Sequence, residues 1–174
     1  MKRFLVRCCR FLKRNVCLFL LNHVLAGTTY FDLKRKLLIS LGYKIGEGTK
    51  VVGPFECHAE LTIGSNCWIG KNIKVNGNGI LVIGDNCDIA PEVTFLTGGH
   101  KIGGKERRAG EGESYSIHVG DGVWIGGRST LLNNISVGNG AVIAACACVN
   151  KNVNENELVG GVPARVIRTL DENG

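Results

Sequence analysis

The histidine that closes the stretch TFLTGGH, His100, stands where the sequence changes character. Glycine, lysine and arginine crowd the residues that follow, from Lys101 to Gly112, and nothing before them has that composition. Histidine titrates near neutral pH, so an imidazole at the root of such an excursion is a candidate for taking or giving a proton. His23 and His58 have no comparable setting and His118 directly precedes a repeat start, so these three read as structural. Eight cysteines could carry redox or metal chemistry, yet no CxxC pair and no metal-ligand spacing occurs among them. Cys8 and Cys9 are adjacent and Cys146 and Cys148 alternate. The reading is of reduced thiols, most of them buried as small hydrophobes, in a cytoplasmic chain without a metal site.

A scaffold must hold His100. The chain has 174 residues, one domain's worth, and 44% of them are hydrophobic, which excludes wholesale disorder. It carries 25 Gly against 3 Pro and only 6% aromatics, a profile of aliphatic core and frequent turns. From Ile45 onward apolar residues recur every six positions: Ile45, Val51, Cys57, Ile63, Ile69 and Val75, then Ile83, Ile89 and Phe95, then Val119 through Val149. Glycine often comes next, and four residues after the first apolar group stands a second, smaller one, such as Cys67, Cys87, Val93, Val123, Ser129 or Ala141. A period of six fits neither a helix nor a long strand; it suits short strands joined by corners, with Gly or Asn where the backbone needs positive φ. Stacked three to a turn, fifteen inward positions make about five coils of a triangular prism.

Between Phe95 and Val119 the register gains eighteen residues, so one corner throws out a long loop over residues 97–116 with His100 at its root. Long loops on rigid scaffolds carry function. Three segments follow: a helical one over 1–44, the repeat domain over 45–170 with its loop, and a tail over 171–174.

Net charge is +6, but the basicity is local, because residues 1–36 hold nine Lys and Arg against Asp32 alone. No aromatic-interleaved basic stretch accompanies it, which speaks against nucleic acid as a partner. The N-terminus resembles a signal peptide in outline, but Arg10, Lys13 and Arg14 interrupt it and its apolar run, Val16 to Leu21, is too short to span a bilayer. The spacing predicts an amphipathic basic helix offering Phe4, Leu5, Phe11, Leu12 and Phe19 to a surface: its own subunit, a neighbour, or, through residues 1–21, the inner face of an anionic membrane. Asp32 then caps a helix to about Leu41, closed by Gly42.

The motifs LTGGH, GESYS, VGDGVWIGG, VGNGAVIAACACVNKNV and GGVPARVIR, in that order, resemble the galactoside and maltose O-acetyltransferase branch of the hexapeptide-repeat acyltransferases. The resemblance runs from about Ile63 to Arg168 and implies an all-β fold, a left-handed parallel β-helix that assembles as a homotrimer and holds acetyl-CoA between adjacent prisms. It implies direct attack of an acceptor hydroxyl on the thioester, with His100 as general base and no acetyl-enzyme. Asn76 aligns with the family asparagine that helps hold the acceptor; Asn and Gly in VNGN also suit a turn. Trp124, Gly127, Ala145 and Lys151 fall along the cofactor groove, with Arg165 and Arg168 near the adenosine phosphates. Plain packing is the competing reading for Trp124, and a solvated tail for the arginines. Residues 1–44 share nothing with the sugar-contacting N-terminal segment of that branch, and the stretch after Asn78 is shorter and lacks its paired aspartates. The chain is also similar, in LLISLGYKIGEGTKV, to bacterial enzymes that O-acetylate surface polysaccharides, so the expected acceptor is a small or lipid-linked saccharide.

Other readings differ in class. Serine and antibiotic O-acetyltransferases share the prism and a histidine. A zinc-dependent hexapeptide-repeat carbonic anhydrase would draw on His58, His100 and His118, whose wide separation argues against it. A non-catalytic scaffold would have no use for His100 and Asn76.

Overall fold

The computed structural model describes residues 2–171, with side chains from residue 11 onward. Three stacks of short parallel strands form the faces of a prism, and the chain visits them in turn. The first face carries Lys44–Ile45, Glu60–Ile63, Ile80–Ile83, Ser116–Val119 and Ile135–Val137. The second carries Lys50–Val51, Trp68–Ile69, Asp88–Ile89, Trp124–Ile125, Val142–Ile143 and Glu157–Gly161, and Ala164–Thr169 folds back antiparallel on its end. The third carries Phe55–Cys57, Ile73–Asn76, Thr94–Leu96, Thr130–Leu132 and Cys148–Val149. This is a left-handed parallel β-helix.

The six-residue period is the physical cause. Each face is crossed in two to four residues, so one side chain per face must point inward, and all fifteen positions that the period selects are buried. A second inward set, Leu61, Leu81, Ile117 and Ile135 on the first face and Phe55 and Ile73 on the third, enlarges the core where strands are longer. Each such side chain taken out of water contributes about 1.5–3 kcal/mol, which a prism with so few aromatics obtains by repetition. The second face has six parallel rungs, where about five coils were expected. The sixth, around Val159, is out of period with Val149 because the step from Val149 to Val153, which bridges to Val137 on the first face, is four residues instead of six.

The corners carry two tasks, where positive φ alone had been expected of their Gly and Asn. Gly64 and its counterparts Gly46, Gly84, Gly120 and Gly138 do not have positive φ. A Cβ on Gly64 would lie 2.6 Å from the Gly84 carbonyl carbon of the next coil, so close backbone approach demands glycine. The left-handed conformation falls two residues later, at Asn66 and Asn86 with φ of 57° each. Carboxylate and amide side chains tie these corners from coil to coil: Ser65 N–H donates to Asp85 Oδ1 at 2.6 Å, Asp85 N–H to Asp121 Oδ1 at 2.8 Å, and Asp121 N–H to Asn139 Oδ1 at 2.9 Å.

Cysteines follow the repeat. Cys57, Cys67 and Cys87 are buried and unpaired, and burial pushes the Cys57 thiol up. Cys67 and Cys87 donate to the Gly84 and Gly120 carbonyls, each at 3.1 Å. Cys146 is exposed at a left-handed corner (φ 61°), Cys148 faces outward on the third face, and Cys8 and Cys9 lie outside the described side chains.

Helix α1 (Lys2–Phe19) continues through a π-helical turn, Leu20–Val24, and α2 spans Phe31–Ser40. Together they close one end of the prism. Leu21 and Leu38 join the core, and the Asn22 amide exchanges two hydrogen bonds with the Phe55 backbone, at 2.9 and 3.1 Å, in place of a missing strand. Arg14 Nη2 and Tyr43 Oη both donate to the Cys57 carbonyl. Lys34, fully buried, donates through Nζ to the Gly27 carbonyl at 2.5 Å, with its ammonium 4.7 Å from the Phe31 ring centroid. Gly42, at φ 100°, ends α2 as expected, but Tyr30 occupies the N-cap and Asp32 lies within the first turn.

Candidate active site

The expected loop is a β-hairpin. Gly98–Ile102 pairs antiparallel with Ala109–Ser114, between the end of a third-face strand and the start of a first-face strand. Its root is fastened by the Thr97 N–H to the Asn76 carbonyl at 2.7 Å and the Tyr115 N–H to the Thr97 carbonyl at 2.8 Å. Gly99 leaves room for Tyr115: a Cβ there would lie 2.6 Å from the Tyr115 hydroxyl and would push the end of its ring aside. Desolvation and the neighbouring Glu113 carboxylate hold the Tyr115 phenol above its ordinary range.

His100 is exposed, and its Nδ1 lies 2.9 Å from the Gly110 carbonyl oxygen across the hairpin. A carbonyl can only accept, so this bond takes a proton on Nδ1, and in the neutral ring the lone pair is then on Nε2. The imidazole borders an open cleft of about 440 Å³ lined also by Asn78, Glu113, Ser114 and the glycines at 77, 98, 99 and 112. Ser114 Oγ donates to Asn78 Oδ1 at 2.8 Å, and Lys101 pairs with Glu111 at 2.7 Å on the hairpin surface. A free imidazole lone pair beside an amide, a hydroxyl and a carboxylate suits proton abstraction from a hydroxylated ligand.

The remaining candidates divide. Asn76 ends its third-face strand opposite Leu96, half-buried, directly beneath the hairpin root, but it is not among the residues lining the His100 cleft. Asn78, two residues on, is. Trp124 points outward from the second face, 57% exposed, between Asp88 and Val142. Gly127 and Ala145 sit at the corner between second and third faces, where the Gly127 carbonyl accepts the Cys146 N–H at 2.9 Å. Lys151 and Arg165 border another cleft, of about 210 Å³, with Glu157 and Ala164. Arg168 is exposed on the last strand opposite Leu158. Within one chain, therefore, His100 and the basic residues line separate clefts.

Sequence reasoning had passed over Asn78, Glu113 and Ser114. The motifs VNGN and GESYS contain them, but only the folded hairpin brings them to the imidazole. The other histidines are dispersed: His23 stacks at 5.1 Å on Phe19, His58 pairs with Glu56 at 3.0 Å, and His118 faces outward on the first face between Val82 and Ser136. No group of three or more His, Cys, Asp or Glu able to hold a metal occurs among the described residues.

Residues 116–151 match the family model described as bacterial transferase hexapeptide (six repeats). The chain is 31% identical over 167 residues to the galactoside O-acetyltransferase of Escherichia coli K12, covering 92% of this chain and 79% of that protein. Its fold superposes with a TM-score of 0.79, at 28% identity, on a hexapeptide-repeat acetyltransferase of Vibrio cholerae complexed with acetyl coenzyme A, covering 92% of this chain and 86% of that one. A maltose O-acetyltransferase from Clostridium difficile 630 superposes with a TM-score of 0.64 at 26% identity, covering 94% and 89% of the two chains. With the prism and the histidine hairpin in place, these likenesses show that the chain belongs to the hexapeptide-repeat acetyltransferases, beside the galactoside and maltose O-acetyltransferases.

Proposed function

We propose that the protein transfers the acetyl group of acetyl-CoA to a hydroxyl of a sugar or surface-polysaccharide precursor, with His100 as the general base. The observation that carries this reading is the bond from His100 Nδ1 to the Gly110 carbonyl, 2.9 Å, which engages Nδ1 and leaves Nε2 as the nitrogen open to an acceptor at the polar cleft. In the step proposed, the acceptor oxygen attacks the thioester carbonyl carbon as its proton passes to Nε2. The tetrahedral intermediate collapses, the carbon–sulfur bond breaks, and the departing thiolate takes the proton back from the imidazolium. Acetyl ester and free coenzyme A are the products, and no cysteine is acylated.

Asn78 and Ser114, with Asn76 beneath the hairpin, would orient the acceptor hydroxyl. Trp124, Gly127 and Ala145 would line the pantetheine, and Lys151, Arg165 and Arg168 would meet the phosphates. Because one chain keeps these groups out of the His100 cleft, we assign the complete site to the junction of adjacent copies in a homotrimer. The E. coli and C. difficile relatives, a galactoside and a maltose O-acetyltransferase, support a saccharide acceptor.

The test is acetyl-CoA turnover, followed as free thiol, against hexoses, nucleotide-sugars, cell-surface oligosaccharides, serine and chloramphenicol. A saccharide should stimulate wild type and leave His100→Ala nearly inactive. Stimulation by serine or chloramphenicol alone would move the acceptor class, and a fully active His100→Ala would remove the histidine from the mechanism.

A further inference from the structure

Helix α1 has two apolar sides. One packs on the prism through Cys17 and Leu21, both buried, and is held in place by Lys13 Nζ to the Ser40 carbonyl (2.7 Å), Arg14 and Asn22. The opposite side carries Phe11, Leu12, Val16 and Phe19, at 69%, 65%, 49% and 59% exposed, with Val24 at 60% just beyond. At 3.6 residues per turn these four helical side chains fall within an arc of about 140°, an apolar face interrupted by the exposed Asn15 and left uncovered by the other described residues. Phe4 and Leu5 lie outside the residues whose side chains are described.

Charge identifies the partner. Residues 1–36 hold nine of the 21 Lys and Arg of the chain and one acidic residue, Asp32, while residues 37–174 hold 12 basic against 14 acidic; Lys34 is buried and Lys13, Arg14 and Arg35 bond to backbone carbonyls, so the charge offered outward comes from the remaining basic residues of the segment. A second copy meeting this helix through its own N-terminal segment would bring basic segment against basic segment, at electrostatic cost. A surface that is apolar beneath and anionic above satisfies both the stripe and the charge. Among the described residues no helix is long and apolar enough to cross a membrane, so the helix would lie along the surface.

We infer that the outer face of α1 docks the protein on an anionic phospholipid bilayer, with Phe11, Leu12, Val16 and Phe19 inserted at the level of the headgroups. The inference is independent of the role given to His100. It deepens the acceptor question, because it would hold the prism beside lipid-linked substrates.

The experiment is flotation of the full chain with vesicles of phosphatidylcholine alone and of an equimolar mixture with phosphatidylglycerol, at low and high salt. Wild type should float with the anionic vesicles only, and less at high salt. The Phe11→Asp/Phe19→Asp variant should lose on the order of tenfold or more of that binding, since it removes two large inserted side chains. Both phenylalanines are exposed, so its thermal unfolding and its oligomeric mass in solution should match wild type. The inference is overturned if wild type stays in solution with both vesicles, if it floats equally with phosphatidylcholine alone, or if the variant still floats. It is equally overturned if the variant alters the oligomeric mass, for the face is then an interface between copies. Thiol release from acetyl-CoA with a soluble acceptor should be the same in wild type and variant, which separates this result from the fate of the catalytic proposal.

Discussion

The prism and the hairpin it carries differ in what surrounds their small residues. In the prism, glycine at corners such as Gly64 is required because the next coil leaves no space for a Cβ; in the hairpin, Gly99 and Gly103 are crowded only by the hairpin itself and its root, and Gly104 and Gly112 have nothing within 4 Å of where a Cβ would stand. Every inward position of the repeat is buried, whereas no residue from Gly98 to Ser114 is. The prism is held by side-chain packing, the hairpin by a few hydrogen bonds and a paired root. Stability and chemistry thus occupy different regions, and the residues that a stable core would exclude, an exposed histidine and its polar neighbours, gather where packing is absent.

The sharpest way to break this division is His100→Ala. Turnover should fall about 10²- to 10⁴-fold, the usual contribution of a positioned base, while the unfolding temperature stays that of wild type. A parallel loss of thermal stability would mean the hairpin also supports the prism. Phe95→Ala probes the other side: it empties a fully buried position on the strand that leads directly into the hairpin and should cost about 3–5 kcal/mol in denaturant unfolding. The surviving folded fraction should keep its turnover. Ser114→Ala removes the 2.8 Å bond to Asn78 within the cleft, a loss of about 0.5–1.5 kcal/mol by the general worth of such bonds. It should lower turnover far less than His100→Ala, and any effect on saccharide KM would tie this pair to the acceptor. Smallest is Lys101→Ala, which opens an exposed ion pair with Glu111 and should leave both unfolding and turnover unchanged, since water screens such pairs.

Much of the prism was legible because its period leaves little choice. An apolar residue every six positions has one solution in which all face inward, and Ile45 through Val149 occupy it. The extra rung at Val159 was not legible, since the shortened step from Val149 to Val153 before it breaks the count. Nor were the corner roles of glycine and asparagine, because a requirement for close approach and a requirement for positive φ select the same residue. Tyr30 as the N-cap of α2, at φ 55°, runs against the preference for a short polar side chain there, and Asp32 looked the better cap on residue type alone. In the site, His100 stood out by its position at the break, whereas Asn78, Glu113 and Ser114 carry no signal apart from the hairpin that folds them together.

By itself the sequence determined the repeat, the place where it is interrupted, the histidine at that interruption and the basic apolar start of the chain. Each of these is a local matter of residue type and spacing. Tertiary structure decided which nitrogen of His100 is engaged by a backbone carbonyl, which polar groups share its cleft, that the cofactor candidates lie elsewhere on the same chain, and which side of α1 is left bare. Those depend on carbonyls, clefts and helix faces brought together from distant positions, and no periodicity along the chain encodes such distances.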